Sequence, residues 1–152
     1  MSTGLLTDRY ELTMLDAALR DGTADRHCVF EVFARRLPEG RRYGVVAGTA
    51  RLLDAVRDFT FDEATVERLH RAGVVGEQAA ALLTAYRFRG DIDGYPEGEL
   101  YFPYSPVLTV SGAFAEAVIL ETLALSVLNH DSAIASAAAA KPRSTPRNAS
   151  VR

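Results

Sequence analysis

Apolar residues recur at helical spacing near the start of the chain and predict a first helix over residues 7–20. Thr7 or Asp8 would cap the start of this helix, and Gly22 would end it. At about 3.6 residues per turn, its leucines fall on one side and Tyr10 falls on the opposite side with a second apolar group. We therefore expect the Tyr10 side to face a second layer, a partner subunit or a ligand.

Alternating apolar and polar residues predict a strand over residues 27–36, with Glu31 and Arg35 on the same face. The turn-forming residues 37–40 follow it. Similar patterns predict helices over residues 45–59 (with Leu52, Leu53 and Val56 turned inward), 62–72 (ending at Gly73) and 76–86, strands over 91–95, 99–102 and 107–111, and a long helix over 113–140.

These elements indicate an α+β fold, with helices packed on a small mixed sheet. The three short strands would form one antiparallel or barrel-like patch before the long helix. We expect an α+β unit over residues 1–112, the long helix over 113–140 and a separate tail over 141–152. Because the long helix is apolar over most of its circumference, we expect further cover from a larger protein.

Composition narrows the class of protein. The chain has 152 residues, 48% hydrophobic and 24% charged, with a net charge of −3, as in soluble globular proteins. That charge disfavours general binding of nucleic acid or of anionic membranes. The single Cys28 excludes a disulfide framework and a multi-cysteine zinc site, and we expect a cytoplasmic location. The apolar run over residues 117–128 contains Glu121 and is expected to be too short to cross a membrane.

The last twelve residues differ from the rest in composition. Lys141 is the only lysine among 17 basic residues, and residues 141–152 hold four basic residues and no acidic ones. Two hypotheses are open. A frameshift or truncation left this segment, or it is an ordinary disordered basic tail.

Three constellations could carry chemistry, whereas the common phosphate-loop, dinucleotide, zinc-protease and serine-hydrolase motifs are absent from the sequence. They occupy residues 5–14, 30–38 and 129–132. The ordinary interpretation of each is a capped helix, a strand that ends in solvated arginines, and a polar stripe on a helix.

In order and spacing, these constellations resemble the N-terminal part of the nicotinate phosphoribosyltransferase family. The matching residues are Leu5-Leu6-Thr7-Asp8-x-Tyr10-x-x-Thr13-Met14, Phe30-Glu31-x-Phe33-x-Arg35-Arg36-x-Pro38, Val46-Ala47-Gly48, Pro96-Glu97-Gly98, Phe102-Pro103, Val110-Ser111-Gly112, Glu121-Thr122 and Ile134-Ala135-Ser136. Arg9 departs from the pattern, because the family usually has leucine there.

The resemblance implies the N-terminal domain of a type II phosphoribosyltransferase, without the α/β barrel that follows in the family. The family joins nicotinate to 5-phosphoribosyl 1-diphosphate for NAD salvage, with ATP hydrolysis and Mg²⁺, and the full enzyme is expected to be a homodimer. The barrel supplies the phosphorylated histidine and most substrate contacts. We therefore expect this chain alone to be inactive and to bind neither ATP nor Mg²⁺ tightly.

The resemblance also assigns residues. Tyr10 is expected to contact the nicotinate ring, in agreement with its place opposite the leucines. Arg35, and second to it Arg36, is expected to reach anionic substrate groups across a dimer interface. No catalytic residue or metal ligand is assigned. Asn129, His130 and Ser132 are expected to serve the junction with the next domain, and His130 is not the phosphorylated histidine.

Two alternatives are open. The chain could act as a non-catalytic binding or dimerisation domain, or it could belong to a sister enzyme that uses nicotinamide or quinolinate. The opening Leu-Leu-Thr-Asp-x-Tyr pattern favours the nicotinate branch.

Overall fold

The computed structural model describes residues 3–140, so the tail over residues 141–152 lies outside the described residues. The helices are α1 (Arg9–Arg20), α2 (Thr49–Arg57), α3 (Glu63–Arg71), α4 (Glu77–Thr84), α5 (Phe114–Ala117) and α6 (Glu121–Ala139). The strands are β1 (His27–Phe33), β2 (Gly44–Val45), β3 (Asp91–Gly94), β4 (Leu100–Tyr101) and β5 (Pro106–Ala113). Short 3-10 turns occupy Gly4–Leu6 and Val118–Leu120.

The α+β architecture is confirmed, but the sheets are antiparallel throughout the described residues instead of mixed. The larger sheet has the strand order β1-β5-β3, with both pairs antiparallel. A separate two-stranded sheet joins β2 to β4. The prediction that the strands within residues 91–111 form one patch is therefore wrong, because β4 leaves β3 and β5 to pair with β2.

β1 ends three residues earlier than predicted. The register with β5 shifts between Val32 and Phe33, and Phe33 then lies opposite Pro106. Proline has no backbone N–H, so Pro106 cannot donate a hydrogen bond to β1, and the pairing of the two strands ends here. Residues 34–36 leave the sheet, and Arg35 does not continue the strand face of Glu31 as predicted.

The two-sided character of α1 is confirmed. Leu12 and Leu15 are buried at 3% and 0% exposure, whereas Tyr10 and Met14 are 43% and 41% exposed. Asp8 is the N-cap, with a capping box that pairs it with Glu11. The sequence therefore fixes both the start of α1 and the direction of its apolar side.

The segment predicted as a helix over residues 45–59 is only partly helical. It begins in β2, turns at Gly48 with φ +96°, and becomes helical at Thr49. Leu52 is buried as predicted, but Leu53 is 39% exposed, so the prediction for Leu53 is wrong. The predicted helices over 62–72 and 76–86 are confirmed as α3 and α4.

The predicted long helix is interrupted and lies at the centre of the core. Val118–Leu120 form a 3-10 turn between α5 and α6, and all three side chains are buried. The chain's own elements thus cover the start of this segment, although Leu125 and Ile134 on α6 stay 43% and 58% exposed. Further along, α6 packs against β2 and α2.

By length and composition alone, the 26 residues of Phe114–Ala139 could cross a membrane, which differs from the expectation that the apolar run is too short. About half of its most apolar window is buried inside the protein. Burial of that kind is typical of the core helix of a globular fold.

Candidate functional site

Tyr10 stands in the first turn of α1, on the side that faces away from the core. Its hydroxyl lies near enough to the carboxylate of Glu121, in the first turn of α6, for a hydrogen bond. Partial burial, followed by that hydrogen bond and the negative charges of Glu121 and Glu11, raises the pKa of Tyr10 to about 12. The phenol therefore keeps its proton at neutral pH and presents an oriented, uncharged ring.

Glu11, the residue after Tyr10, holds the first turn of α1 against α6. It is completely buried, at 0% exposure. One carboxylate oxygen accepts hydrogen bonds from the Thr7 hydroxyl and, at 3.3 Å, from the Asp8 amide. The other accepts from the Thr122 amide at 2.8 Å and from the Thr122 hydroxyl. This bridge joins the first turns of α1 and α6, where the helix dipoles also favour a carboxylate.

Arg35 and Arg36 are both exposed, directly after the end of β1. Arg36, together with Asn129 of α6, lines a cavity of about 330 Å³ between this loop and the helix. Tyr101 and Asn129 also border an adjoining cavity of about 430 Å³. The preference for Arg35 over Arg36 as an anion-binding residue stays a prediction.

Within one chain, Tyr10 and Arg36 lie at different places along α6. Tyr10 contacts Glu121, and the cavity of Arg36 is bordered by Asn129. Those two helix positions are separated by about 12 Å along the axis, at about 1.5 Å per residue. Tyr10 and Arg36 are therefore placed beside different turns of α6.

Within the polar cluster over residues 129–132, Ser132 and Asp131 make contacts inside the chain, and the role of Asn129, His130 and Ser132 at a junction with a following domain stays a prediction. The Ser132 hydroxyl accepts from the Ala47 amide at 3.1 Å and donates to the Ala47 carbonyl at 3.2 Å. Arg51 donates two hydrogen bonds of 2.8 Å to the carboxylate of Asp131. These contacts fasten the β2–α2 segment to α6.

The contact with Arg51 lowers the pKa of Asp131. The hydrogen bond from Arg51, and second to it the one from His130, holds the pKa of the Asp131 carboxyl below its ordinary value. Asp131 Oδ2 would also lie 2.8 Å from a Cβ built on Gly48, so this position requires glycine for space as well as for its φ.

Over residues 3–140, no group of three or more His, Cys, Asp or Glu side chains is arranged to hold a metal ion. Cys28 is half-buried on β1, and burial raises the pKa of its thiol. That environment favours the unreactive thiol over the thiolate.

From the sequence, neither Glu11 nor Glu121 was assigned a role in the site. The pattern Asp8-x-x-Glu11 could have revealed Glu11 as a capping-box residue. No sequence signal reveals that the same carboxylate also reaches Thr122, because the contact depends on how α6 packs beside α1.

Residues 5–129 match the family model for the nicotinate phosphoribosyltransferase (NAPRTase) N-terminal domain. A nicotinate phosphoribosyltransferase of Mycobacterium tuberculosis is 67% identical over 136 residues, covering 90% of this chain and 30% of that protein. The Bacillus subtilis nicotinate phosphoribosyltransferase is 32% identical over 138 residues, covering 91% of this chain and 28% of that protein. The chain thus spans less than a third of the length of these curated relatives.

The crystal structure of human nicotinic acid phosphoribosyltransferase superposes with a TM-score of 0.80 and 32% identity, over 88% of this chain and 27% of that one. A nicotinate-nucleotide pyrophosphorylase from Pyrococcus furiosus, 22% identical, shares the fold with a TM-score of 0.58 over 82% of this chain and 24% of that one. The expected fold class, the N-terminal domain of a type II phosphoribosyltransferase, is confirmed, and the described residues form no closed barrel.

Proposed function

Because the chain belongs to the nicotinate phosphoribosyltransferase family, we propose that it is the substrate-contacting N-terminal domain of an enzyme of that activity. The reaction joins the ring nitrogen of nicotinate to the ribosyl carbon of 5-phosphoribosyl 1-diphosphate. Pyrophosphate leaves, and nicotinate mononucleotide is the product. The observation that carries the proposal is the family match over residues 5–129, reinforced by 67% identity to the Mycobacterium tuberculosis relative.

In this proposal, Tyr10 contacts the nicotinate ring. A flat, electron-poor pyridine suits the face of an aromatic side chain. Tyr10 is 43% exposed on the side of α1 away from the core, and its hydroxyl is held by Glu121. An oriented ring loses little conformational freedom when the substrate arrives, which favours binding.

Arg35 and Arg36 have a different task. As pyrophosphate departs, negative charge accumulates on its oxygens while the ribosyl carbon becomes cationic, and guanidinium groups stabilise such charge. Since Arg36 borders a cavity at Asn129, two turns along α6 from the Glu121 neighbour of Tyr10, we propose that each chain's arginines serve a different site from its own Tyr10. A homodimer in which the loop after β1 reaches the partner's site would satisfy this requirement.

Mg²⁺ and ATP belong to the proposal only for the complete enzyme. The described residues lack a group of three side chains suited to a metal ion, so we expect no tight Mg²⁺ site in residues 3–140. When bound elsewhere in the enzyme, Mg²⁺ would neutralise phosphate charge. For this chain alone we propose no turnover. We also propose a cytoplasmic location and neither a nucleic-acid nor a membrane partner.

A second candidate is a non-catalytic domain that pairs with another protein chain. Exposed apolar side chains near the N-terminus favour it, since Leu5, Leu6 and Met14 are 59%, 53% and 41% exposed. Exposed apolar patches of this kind are typical of association surfaces.

A domain exchange distinguishes these candidates. The matching N-terminal segment of the Mycobacterium tuberculosis relative is replaced by this chain, and formation of nicotinate mononucleotide is measured with the unmodified relative as reference. The transferase proposal predicts product from the hybrid and none from this chain alone. A folded hybrid without activity contradicts it, and product from nicotinamide but not nicotinate would favour a sister enzyme.

A further inference from the structure

Tyr104 has an unusual backbone conformation for a residue with a large side chain. It lies in the turn between β4 and β5 with φ +65°, and over residues 3–140 it is the one residue other than glycine whose φ is positive. In this left-handed region the Cβ atom crowds the neighbouring carbonyl oxygen, so the conformation persists only where surrounding contacts hold it. The contacts that hold Tyr104 therefore indicate what the turn does.

Two contacts of Tyr104 meet the end of β1. The Tyr104 amide donates a hydrogen bond of 2.8 Å to the Ala34 carbonyl. The Tyr104 ring lies beside the ring of Phe33, with 5.9 Å between the centroids and 36° between the planes. The Ser105 amide donates to the Phe102 carbonyl at 3.1 Å and closes the turn itself. One strained residue thus holds Phe33 and Ala34 through both its backbone and its side chain.

Burial does not explain this arrangement. Tyr104 is 71% exposed and Phe33 is 40% exposed. Because hydrophobic stabilisation scales with the apolar area removed from water, this pair of rings contributes little to the core. The contact acts instead on the path of the chain. Pro106, opposite Phe33, has no N–H to donate, and the Tyr104 amide supplies a hydrogen bond one residue further along, at Ala34.

Arg35 and Arg36 follow directly after this anchored residue. Both are exposed, and neither takes part in an ion pair within residues 3–140. The backbone that precedes them therefore sets their direction, since no charged side chain does. A guanidinium group that starts from a fixed backbone position loses less conformational freedom when it meets an anion.

We propose that Tyr104 is a positioning residue, which holds the end of β1 so that Arg35 and Arg36 point toward the anionic part of the substrate. This rests on the proposed function, in which these arginines stabilise the charge on the departing pyrophosphate. It adds to that function a residue of the β4–β5 turn, which acts through the backbone of Ala34 and the ring of Phe33. The role is the same whether the arginines serve their own chain or its partner.

Limited digestion of the 152-residue chain with trypsin tests the anchor independently of activity. Trypsin cleaves after arginine, and its rate at one bond measures how often the surrounding backbone opens. Tyr104→Asn keeps the amide donor and tolerates the left-handed backbone, but it removes the ring. Cleavage after Arg35 and Arg36 should be at least about fivefold faster in this variant and unchanged in Tyr104→Phe, which keeps the ring. Cleavage after Arg57, at the end of α2, is the internal reference and should be equal in the variants and the parent chain.

The active hybrid enzyme provides the second test. In Tyr104→Asn, kcat/KM for 5-phosphoribosyl 1-diphosphate should fall at least about fivefold, whereas the KM for nicotinate should stay within about twofold of the parent hybrid. Tyr104→Phe should match the parent hybrid in both. Tyr95→Ala is the matched control, because it removes another exposed tyrosine, directly after β3, and it should match the parent in digestion and in kinetics.

Equal cleavage after Arg35 and Arg36 in Tyr104→Asn and in the parent chain overturns the role of Tyr104, whether or not the hybrid is active. Equally faster cleavage after Arg57 overturns it too, because the variant would then loosen the whole fold. An unchanged kcat/KM for 5-phosphoribosyl 1-diphosphate in the active hybrid has the same consequence. An inactive parent hybrid, by contrast, contradicts the transferase proposal, and the digestion then decides the role of Tyr104.

Discussion

The carboxylate of Glu11 accepts a hydrogen bond of 2.8 Å from the backbone amide of Thr122, across 111 residues of sequence. This contact ties the first turn of α1 to the first turn of α6. Beside this contact, the hydroxyl of Tyr10 on α1 lies near the carboxylate of Glu121 on α6. The exposed tyrosine is therefore positioned by a buried bridge.

Removal of this bridge should destabilise the whole domain. In Glu11→Ala, donors from Thr7, Asp8 and Thr122 lose their acceptor in the interior, and the free energy of unfolding should fall by about 2–4 kcal/mol. Urea unfolding followed by circular dichroism measures it. Glu67→Ala, which removes an exposed glutamate paired with Arg71, serves as the control and should leave the midpoint nearly unchanged. Equal midpoints for the two variants would refute the bridge's role.

The Tyr10 phenol should titrate at about pH 12 in the folded protein. Its pKa is raised, so this stabilising contribution is present below pH 10 and is lost as the pH rises through 12. Ultraviolet titration of the parent chain minus Tyr10→Phe isolates this residue from the other tyrosines. Glu121→Gln should lower the pKa but keep it above 10, because burial, the largest cause, remains. An unchanged pKa in Glu121→Gln would contradict the contact.

The pair between Arg51 and Asp131 should be visible in the titration of the Asp131 carboxyl. Its pKa is lowered chiefly by the Arg51 hydrogen bond, so the pair stabilises the fold at neutral pH and is lost as pH falls through that lowered pKa. Carboxyl-detected NMR should show the pKa rising toward its ordinary value in Arg51→Gln. Arg57→Gln, which breaks an exposed pair with Asp54, should leave it in place. The same shift in both variants would rule out a specific partner.

Substitutions at Gly48 and Gly73 allow the cost of backbone strain to be distinguished from the cost of a steric contact. Both have positive φ, at +96° and +66°, but a Cβ at Gly48 would meet Asp131 whereas a Cβ at Gly73 meets nothing within 4 Å. Gly73→Ala should cost about 1 kcal/mol of unfolding free energy through strain alone. Gly48→Ala should cost more and should also raise the pKa of Asp131 by displacing it from Arg51. Equal losses in thermal or urea unfolding would argue against the steric contact.

Local patterns predicted the elements of this fold well. The start and the two faces of α1 follow from its cap and its leucine spacing, and α3 ends where Gly73 predicts. Gly48 explains why the helix predicted over residues 45–59 is only partly formed. The apolar spacing there is helical, but the left-handed turn at Gly48 separates β2 from the start of α2. Periodicity is insensitive to such a single residue.

Long-range pairing explains the other differences. The position at which β1 ends depends on Pro106 of its neighbour, and the pairing of β4 with β2 depends on the path of residues 96–99. The candidate site likewise has a part that local pattern predicts and a part that it does not. The sequence alone places Tyr10 on the outward face of α1. The contacts of Tyr10 with Glu121 and of Arg36 with the cavity beside Asn129 depend on tertiary packing.

We propose above that this domain presents Tyr10 to nicotinate. In the active hybrid enzyme, the most direct measurement is the KM for nicotinate in Tyr10→Leu, compared with Met14→Leu on the same exposed side of α1. We expect a KM for nicotinate at least about tenfold higher in Tyr10→Leu, with little change in the KM for 5-phosphoribosyl 1-diphosphate and little change of either KM in Met14→Leu. An unchanged KM for nicotinate in a folded, active Tyr10→Leu hybrid would contradict it.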